Sequence, residues 1–381
     1  MIGGGDDVVV ILDGVPFQGW KRVHISQSFD KATGEGSLTI SPQPGNPLPA
    51  DVGSTCQIIL AGRPVITGSV HEVSGSHGWE DHDIELSIRD KTQDLIDSTV
   101  GPGLEFKPPV KLKQVADKTL SHMGLSGIKV IDNVGPPPYR QGGELPIATL
   151  TEYGHDWLDK WAKKRQVVLN TDGKGNLVID RNQKKRGAGG LFKLFEDSPI
   201  NNVKKASYKN SDKGRHNETN CAGQKSTNDP YWETRPKGDE PAQANPLSEN
   251  VGKAKDSSVR PERKIHYRAR HGVEGKTPKD AARWRANLAR ARNYTYEATV
   301  SGFEMAPGEL WWPGVIIPVR DDHFLISDEM FVKEVTFEKT WDGGAVTTVH
   351  CTAQDAFSES DEAPKSRTGK PGLGAKKSGS F

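Results

Sequence analysis

The chain has 381 residues, too many for one ordinary core, so two to four domains are expected. Apolar residues make up only 34%, and 41 Gly with 25 Pro supply many turns, which argues against a helical bundle and for a β-rich chain with long connections. Fifty-one basic and 50 acidic residues leave a formal net charge of +1, which excludes a strong overall field for capturing nucleic acid or a membrane surface.

In chain order, short apolar or alternating runs come first: 8–14, 20–30, 36–41, 56–62, 63–73 and 82–90. Gly, Pro or Asn separates almost all of them, a spacing that predicts an antiparallel barrel or sandwich. The stretch LSIRDKTQDLIDSTV (86–100) then turns from alternation into a knot of charge, which an active site or a joint between domains would explain. Leu112, Val115, Ala116, Leu120 and Met123 fall at helical spacing, with Gly124 placed to stop the helix. A second helix is expected from about 150 to 165, opened by a Thr149–Glu152 capping box, with Tyr153, Trp157, Leu158, Trp161 and Ala162 as one apolar stripe. The runs 166–170 and 176–180 flank TDGKG as a β-hairpin. NQKKRGAGG has the composition of a linker, 203–210 and 218–224 are candidate strands, and 225–262 is polar enough to predict a long exposed loop. A helix over 278–293 is expected next, capped by Thr277, begun by Pro278 and facing inward through Ala281, Trp284 and Leu288. Strands resume at 293–302, 310–320, 330–339 and 345–353, and 357–381 has the composition of a flexible tail.

No motif assembles a catalytic, cofactor or metal site. Cys56, Cys221 and Cys351 are odd in number, far apart and without a CxxC, so neither a disulfide framework nor a cysteine zinc site is expected. His71, His77 and His82 match no common ligand spacing and flank a Gly/Ser turn. Glu85, Asp90, Asp94 and Asp97 are close enough in sequence for acid–base pairing, but Arg89 and Lys91 can neutralise them, and capping chemistry accounts for Asp and Ser near a helix start. Ser98 and Ser121 lie outside a G-x-S-x-G elbow, and GKGNLV and GAGGLF do not stand between a strand and a helix as a phosphate cradle must. Lys184–Arg186 and Arg283, Arg285, Arg290 and Arg292 could touch phosphates; a solvated border around the Trp284/Leu288 stripe is the plainer reading. Trp311 and Trp312 would point to opposite faces of a strand, one into a core and one toward a neighbour. Trp311, Trp312, Arg285 and Arg292 are therefore the candidate interface residues. The start MIGGGDDVVVILDG has no signal-peptide pattern, and no run approaches the roughly 20 apolar residues of a membrane span, so a chain made in the cytoplasm without membrane insertion is expected.

Three blocks taken together resemble a known family. ITGSVHEVS with HDIELSIRDKTQDLIDSTV, then LTEYGHDWLDKWAKKRQVVLNTDGKGNLVIDR, then TVSGFEMAPGELWWPGVIIPVRDD occur in the order seen in baseplate hub proteins of Mu-like contractile-tailed phages, a late control protein D-like family related to type VI secretion spike heads. The resemblance spans about 66 to 353. It implies a mainly β fold with α/β insertions: two similar antiparallel β-barrel domains plus a small α/β domain. The first barrel would be 1–96, the α/β domain 97–185 with 263–298, and the second barrel 186–225 with 299–356, leaving 226–262 as a long polar loop and 357–381 as a tail. Residues 89–100 would then be the joint leaving the first barrel. It further implies a homotrimer without enzymatic activity, a pseudo-sixfold ring adapting the sixfold tail tube to the threefold central spike. Such a ring would contact tube and baseplate wedge proteins in the virion tail baseplate and leave a channel for transient, non-specific passage of DNA, after synthesis in the host bacterial cytoplasm. Two rival readings stand beside it. A tail-associated cell-wall hydrolase would need a compact insertion, and 225–262 is too short and polar for one. A spike or receptor-binding head of a secretion-like injection machine would be expected to continue into a needle-like repeat, which the Ser/Gly/Lys end lacks.

Overall fold

The computed structural model describes residues 6–41, 50–78, 82–139, 151–222, 251–268 and 278–358. Seven antiparallel strands come first: β1 (Val8–Leu12), β2 (Val15–Phe17), β3 (Trp20–Ser28), β4 (Glu35–Ile40), β5 (Thr55–Leu60), β6 (Arg63–His77) and β7 (His82–Asp90). Period-two alternation places Val10, Leu12, Val23, Ile25, Leu38, Ile40, Ile58, Leu60, Leu86 and Ile88 on one buried face. Two tight hairpins set the register. Asp13 and Gly14 (φ 47° and 80°) turn β1 into β2, and Ala61 and Gly62 (φ 45° and 76°) turn β5 into β6, the paired positive φ of turns that match strand twist.

The chain then changes period. Helix α1 (Gln93–Asp97) and α2 (Leu112–His122) precede β8 (Val130–Asp132), α3 (Gly154–Lys164), β9 (Val168–Thr171) and β10 (Leu177–Asp180). β8, β10 and β9 form a three-stranded sheet. With α2 and α3 it encloses a core of its own, containing Leu112, Val115, Leu120, Trp157, Leu158, Trp161, Leu169 and Ile179. α3 begins at Gly154 rather than near 150, with Tyr153 at the cap and no side-chain cap bond. The start is set from outside the helix: Val100 and Gly154 donate backbone bonds to Glu152 and Ser98 at 3.0 and 2.9 Å, so the joint segment holds the chain extended up to Tyr153. Thr149, the other half of the expected capping box, lies outside the described residues.

Next come β11 (Leu191–Lys193), β12 (Val203–Asn210), β13 (Glu218–Ala222), β14 (Val251–Lys255), β15 (Lys264–Arg268) and α4 (Pro278–Asn293). The last strands are β16 (Tyr294–Ser301), β17 (Glu304–Ala306), β18 (Glu309–Leu310), β19 (Ile316–Asp321), β20 (Ile326–Thr340) and β21 (Ala345–Ala353). Three expectations are corrected here. Residues 251–255 of the expected polar loop are a strand, while 226–250 lie outside the described residues. β13 pairs with β14 and β15 instead of joining the late strands. α4 leaves the α/β unit and packs on β13 and β14 and on the ends of β16 and β21, burying Ala282, Trp284, Asn287 and Ala291 rather than Ala281. Gly252 lies flush against the backbone of Pro278 and Lys279, a closeness that no side chain at 252 would permit. Thr277 and 359–381 lie outside the described residues.

Early and late strands belong to one hydrogen-bonded sheet, in the order β2-β1-β5-β6-β7-β4-β3-β20-β21-β16-β12, with β19 on β20 and β11 parallel to β19. The bridge is β3 against the second half of β20, from Ser28 opposite Glu334 to Arg22 opposite Thr340; the first half of β20 pairs β19. One continuous apolar core follows the sheet across this bridge. A third cluster, Phe29, Trp284, Ala291, Ile316, Phe331, Ala356 and Phe357, fastens α4 and the segment after β21 to it, with the Phe29 and Phe331 rings edge-on at 4.9 Å.

Candidate assembly surfaces

The charged knot after β7 is built around one buried carboxylate. Asp90 is 1% exposed at the end of β7. Thr171 on β9 donates its hydroxyl to Asp90 Oδ2 at 2.5 Å, and the Lys91 amide reaches Oδ1 at 3.1 Å. Burial pushes the carboxyl up to about 6, with the charge of Asp172 adding to it and these hydrogen bonds opposing it. Asp94 and Asp97 are exposed on α1, and Gln93 donates to Asp97 at 2.9 Å, so the carboxylates do not form an acid–base pair. Leu95, wholly buried, belongs to the α/β core, whereas Ile88, seven residues earlier, belongs to the core of the large sheet. Over those residues the chain passes from one core to the other.

The β9–β10 turn docks on the same place. Thr67 donates its hydroxyl to the Gly173 carbonyl at 3.0 Å. Gly173 has φ +74°, and a Cβ there would stand 2.8 Å from the Val65 carbonyl oxygen. Gly173→Ala is therefore expected to cost about 2 kcal/mol, read as a fall in the urea midpoint. Gly214→Ala, at φ +70° with nothing within 4 Å, should show the backbone share alone, about 1 kcal/mol. Equal losses at the two positions would mean that the close docking contributes nothing.

The four expected interface residues divide. Trp311 is 1% exposed inside the core of the large sheet, so it fills that core and presents nothing to a neighbour. It stands in the irregular connection between β18 and β19, which breaks the single strand expected over 310–320 and with it the alternation argument. Trp312 is half-buried and lines a cleft of about 360 Å³ between β3 and the β8-β10-β9 sheet. Arg285 is exposed, its guanidinium 4.3 Å from the centre of the Tyr267 ring. Arg292 is exposed beside a second cleft, whose walls include Asp30, Asp159, Lys163 and Lys333. Of the expected histidines, His77 and His82 are opposite each other at the end of the β6–β7 ladder, and His71 is exposed further along β6.

Sequence reasoning missed the exposed apolar side chains. Trp341 is 79% exposed at the β20–β21 turn, and Leu325 is 73% exposed at the β19–β20 turn with a left-handed φ of 53°. Phe195, also exposed, meets His323 edge-on at 4.7 Å, and Phe324 lies 5.9 Å from Tyr208 of β12. Each sits in or beside a turn, where neither period marks a face. Phe195, Phe324 and Leu325 gather at the β19–β20 turn, as contact surfaces do, whereas Trp341 stands alone at the other end of β20.

Comparison with known proteins agrees with this picture. Residues 7–90, the first seven strands, match the family described as Mu phage baseplate assembly protein GpP-like, N-terminal. Baseplate hub protein gp44 of Escherichia phage Mu is 24% identical over 357 residues, 92% of this chain and 88% of that protein. The 43 kDa tail protein of prophage MuSo2 from Shewanella oneidensis has the same fold, with a TM-score of 0.71 and 24% identity over 92% of this chain and 98% of the other. The tail protein from Neisseria meningitidis MC58 gives a TM-score of 0.74 at 17% identity, over 93% and 98%. The chain is thus similar in its first seven strands to a Mu phage baseplate assembly family and over most of its length to a Mu baseplate hub protein, and it shares its fold with two phage tail proteins.

Proposed function

We propose that three copies of this chain form a closed ring at the centre of a contractile-tail baseplate, joining the sixfold tail tube above to a threefold spike below and leaving a passage for DNA. The observation that carries this reading is the likeness over 92% of the chain to a protein named as a baseplate hub. The sheet supports it. Early and late strands form two runs on either side of the β3–β20 bridge, so each copy can offer two β-rich bodies, and three copies six. The tail tube, the spike and the wedge proteins are the proposed partners, and the baseplate of the virion the proposed location. Arg285, Arg292 and Trp312 remain proposed contact points; Trp311 does not. A ring that aligns other components acts through shape and needs no active site, so incubation with peptidoglycan is expected to release no fragments.

Light scattering across a concentration series tests the ring. The expected mass is three times 41.6 kDa, with a ring visible by electron microscopy. A monomer at every concentration, unchanged when the spike protein is added, would overturn it.

A further inference from the structure

The two ends of the main strand order of the large sheet, β2 and β12, are unsuited to strand addition. β2 has three residues, one of them Pro16, and β12 carries Lys204, Lys205 and Lys209 on its exposed positions, both devices that discourage edge pairing. The ends differ in charge. At the β1–β2 end, Asp6, Asp7, Asp13 and Asp51 are exposed around the exposed Val9 and Val15. Asp13 accepts from Thr55, and hydrogen bonds from Ser54 and Thr55 hold it below the usual carboxylate range. The nearby cations are turned to backbone: Lys339 bonds the Asp6 carbonyl and Arg63 the Gly308 carbonyl. At the β12 end the three lysines stand beside the Tyr208–Phe324 contact and the exposed Leu325. Among the described residues, none of these four aspartates and three lysines has an ion-pair partner.

We propose that the acidic β1–β2 end of one copy docks side chain to side chain on the lysine-bearing β12 end of the next. The contact is head to tail, so each copy uses one end as donor and the other as acceptor, and it closes into a ring when the rotation per copy allows. The occupant is a second copy of this chain because the two surfaces complement each other in charge and each carries exposed aliphatic groups for a dry centre. This inference rests on the ring reading and names its contact.

The test is a charge swap, followed by sedimentation of the full chain at low and high salt. Wild type should associate, and salt should weaken the association. Lys204→Glu, Lys205→Glu and Lys209→Glu together should weaken it tenfold or more. Adding Asp6→Lys and Asp7→Lys to that same chain should restore it to within about threefold, because opposite signs again face each other. All five side chains are exposed, so an unchanged circular dichroism spectrum and melting curve are expected of every variant. An associating wild type matched by an equally associating lysine-reversed chain overturns this contact and leaves the ring standing. A wild type that stays monomeric at every concentration and salt, with and without the spike protein, overturns both.

Discussion

Truncating Trp161 to alanine is expected to remove about 4 kcal/mol from the α/β unit, the largest single loss foreseen in this chain. The indole is 2% exposed on the inner face of α3. Tyr139 meets it edge-on at 5.4 Å and donates its hydroxyl to the Trp161 carbonyl at 2.9 Å, while the Lys164 ammonium lies 3.9 Å over its ring. Large-to-small changes at such sites cost the lost transfer energy plus a cavity, and here ring contacts go with them. Among the described residues, the buried indole Nε1 finds no hydrogen-bond partner. Trp161→Phe therefore gives up no bond and should cost no more than about 1.5 kcal/mol. Hydrogen exchange of α2 and α3 in urea would measure both. A Phe variant as damaged as the Ala variant would show that the indole nitrogen has a role that this packing does not give it.

Asp90→Asn is expected to do the reverse and stabilise the joint at neutral pH. Burial raises the Asp90 pKa from 3.8 to about 6, so the folded chain holds this proton more tightly than the unfolded one. Below pH 3.8 both states are protonated and the site costs nothing. As pH rises from there to about 6 the unfolded chain ionises first, and stability falls through that window. Above it the full cost is on the order of 3 kcal/mol, two pKa units at about 1.4 kcal/mol each. The charge that bears on the site is Asp172 from the β9–β10 turn; Arg89, the neighbour of Asp90 on β7, points to the opposite face and is engaged with Glu35 at 2.9 Å. Asn keeps an acceptor for the Thr171 hydroxyl but turns a donor toward the Lys91 amide, which trims the gain to about 1–2 kcal/mol at pH 7. Urea midpoints of both proteins between pH 4 and 8 check this. The advantage of the variant should grow from pH 4 to 6 and then level off; a constant difference would show that Asp90 is not the titrating group.

What could be read beforehand divides along local and non-local physics. The α2 stripe, its Gly124 stop and the TDGKG hairpin depend on residues within a turn or two of one another, and the helix ends at His122 with Gly124 at φ +78°. The α3 start is not legible locally because its cause, the pairing of 98–100 with 152–154, comes from residues about fifty positions away. β14 escaped notice because Val-Gly-Lys-Ala-Lys has almost no apolar face of its own and becomes a strand by pairing β13. β15 lies parallel to β13, a relation that no turn announces. The joint at 89–100 was suggested by family likeness, whereas the depth of Asp90 and its bond to Thr171 follow from a hairpin eighty residues further on. The exposed charges at the sheet ends were equally out of reach, since they become ends only once the strand order is known.

The β3–β20 ladder also constrains how the molecule comes into being. Residues 22–28 find their partners at 334–340, about three hundred residues later. At roughly 5–20 residues per second, a ribosome needs on the order of 15 to 60 s to cover that distance. For that time one long side of β3 has been made and its native partner has not. The nascent chain thus carries an unpaired strand edge through most of its own synthesis, and long-range pairing of this kind is slow to form even afterwards. The sheet is complete only once residues 345–353, its last strand, have been made, and copies can meet with both ends in finished form only after that.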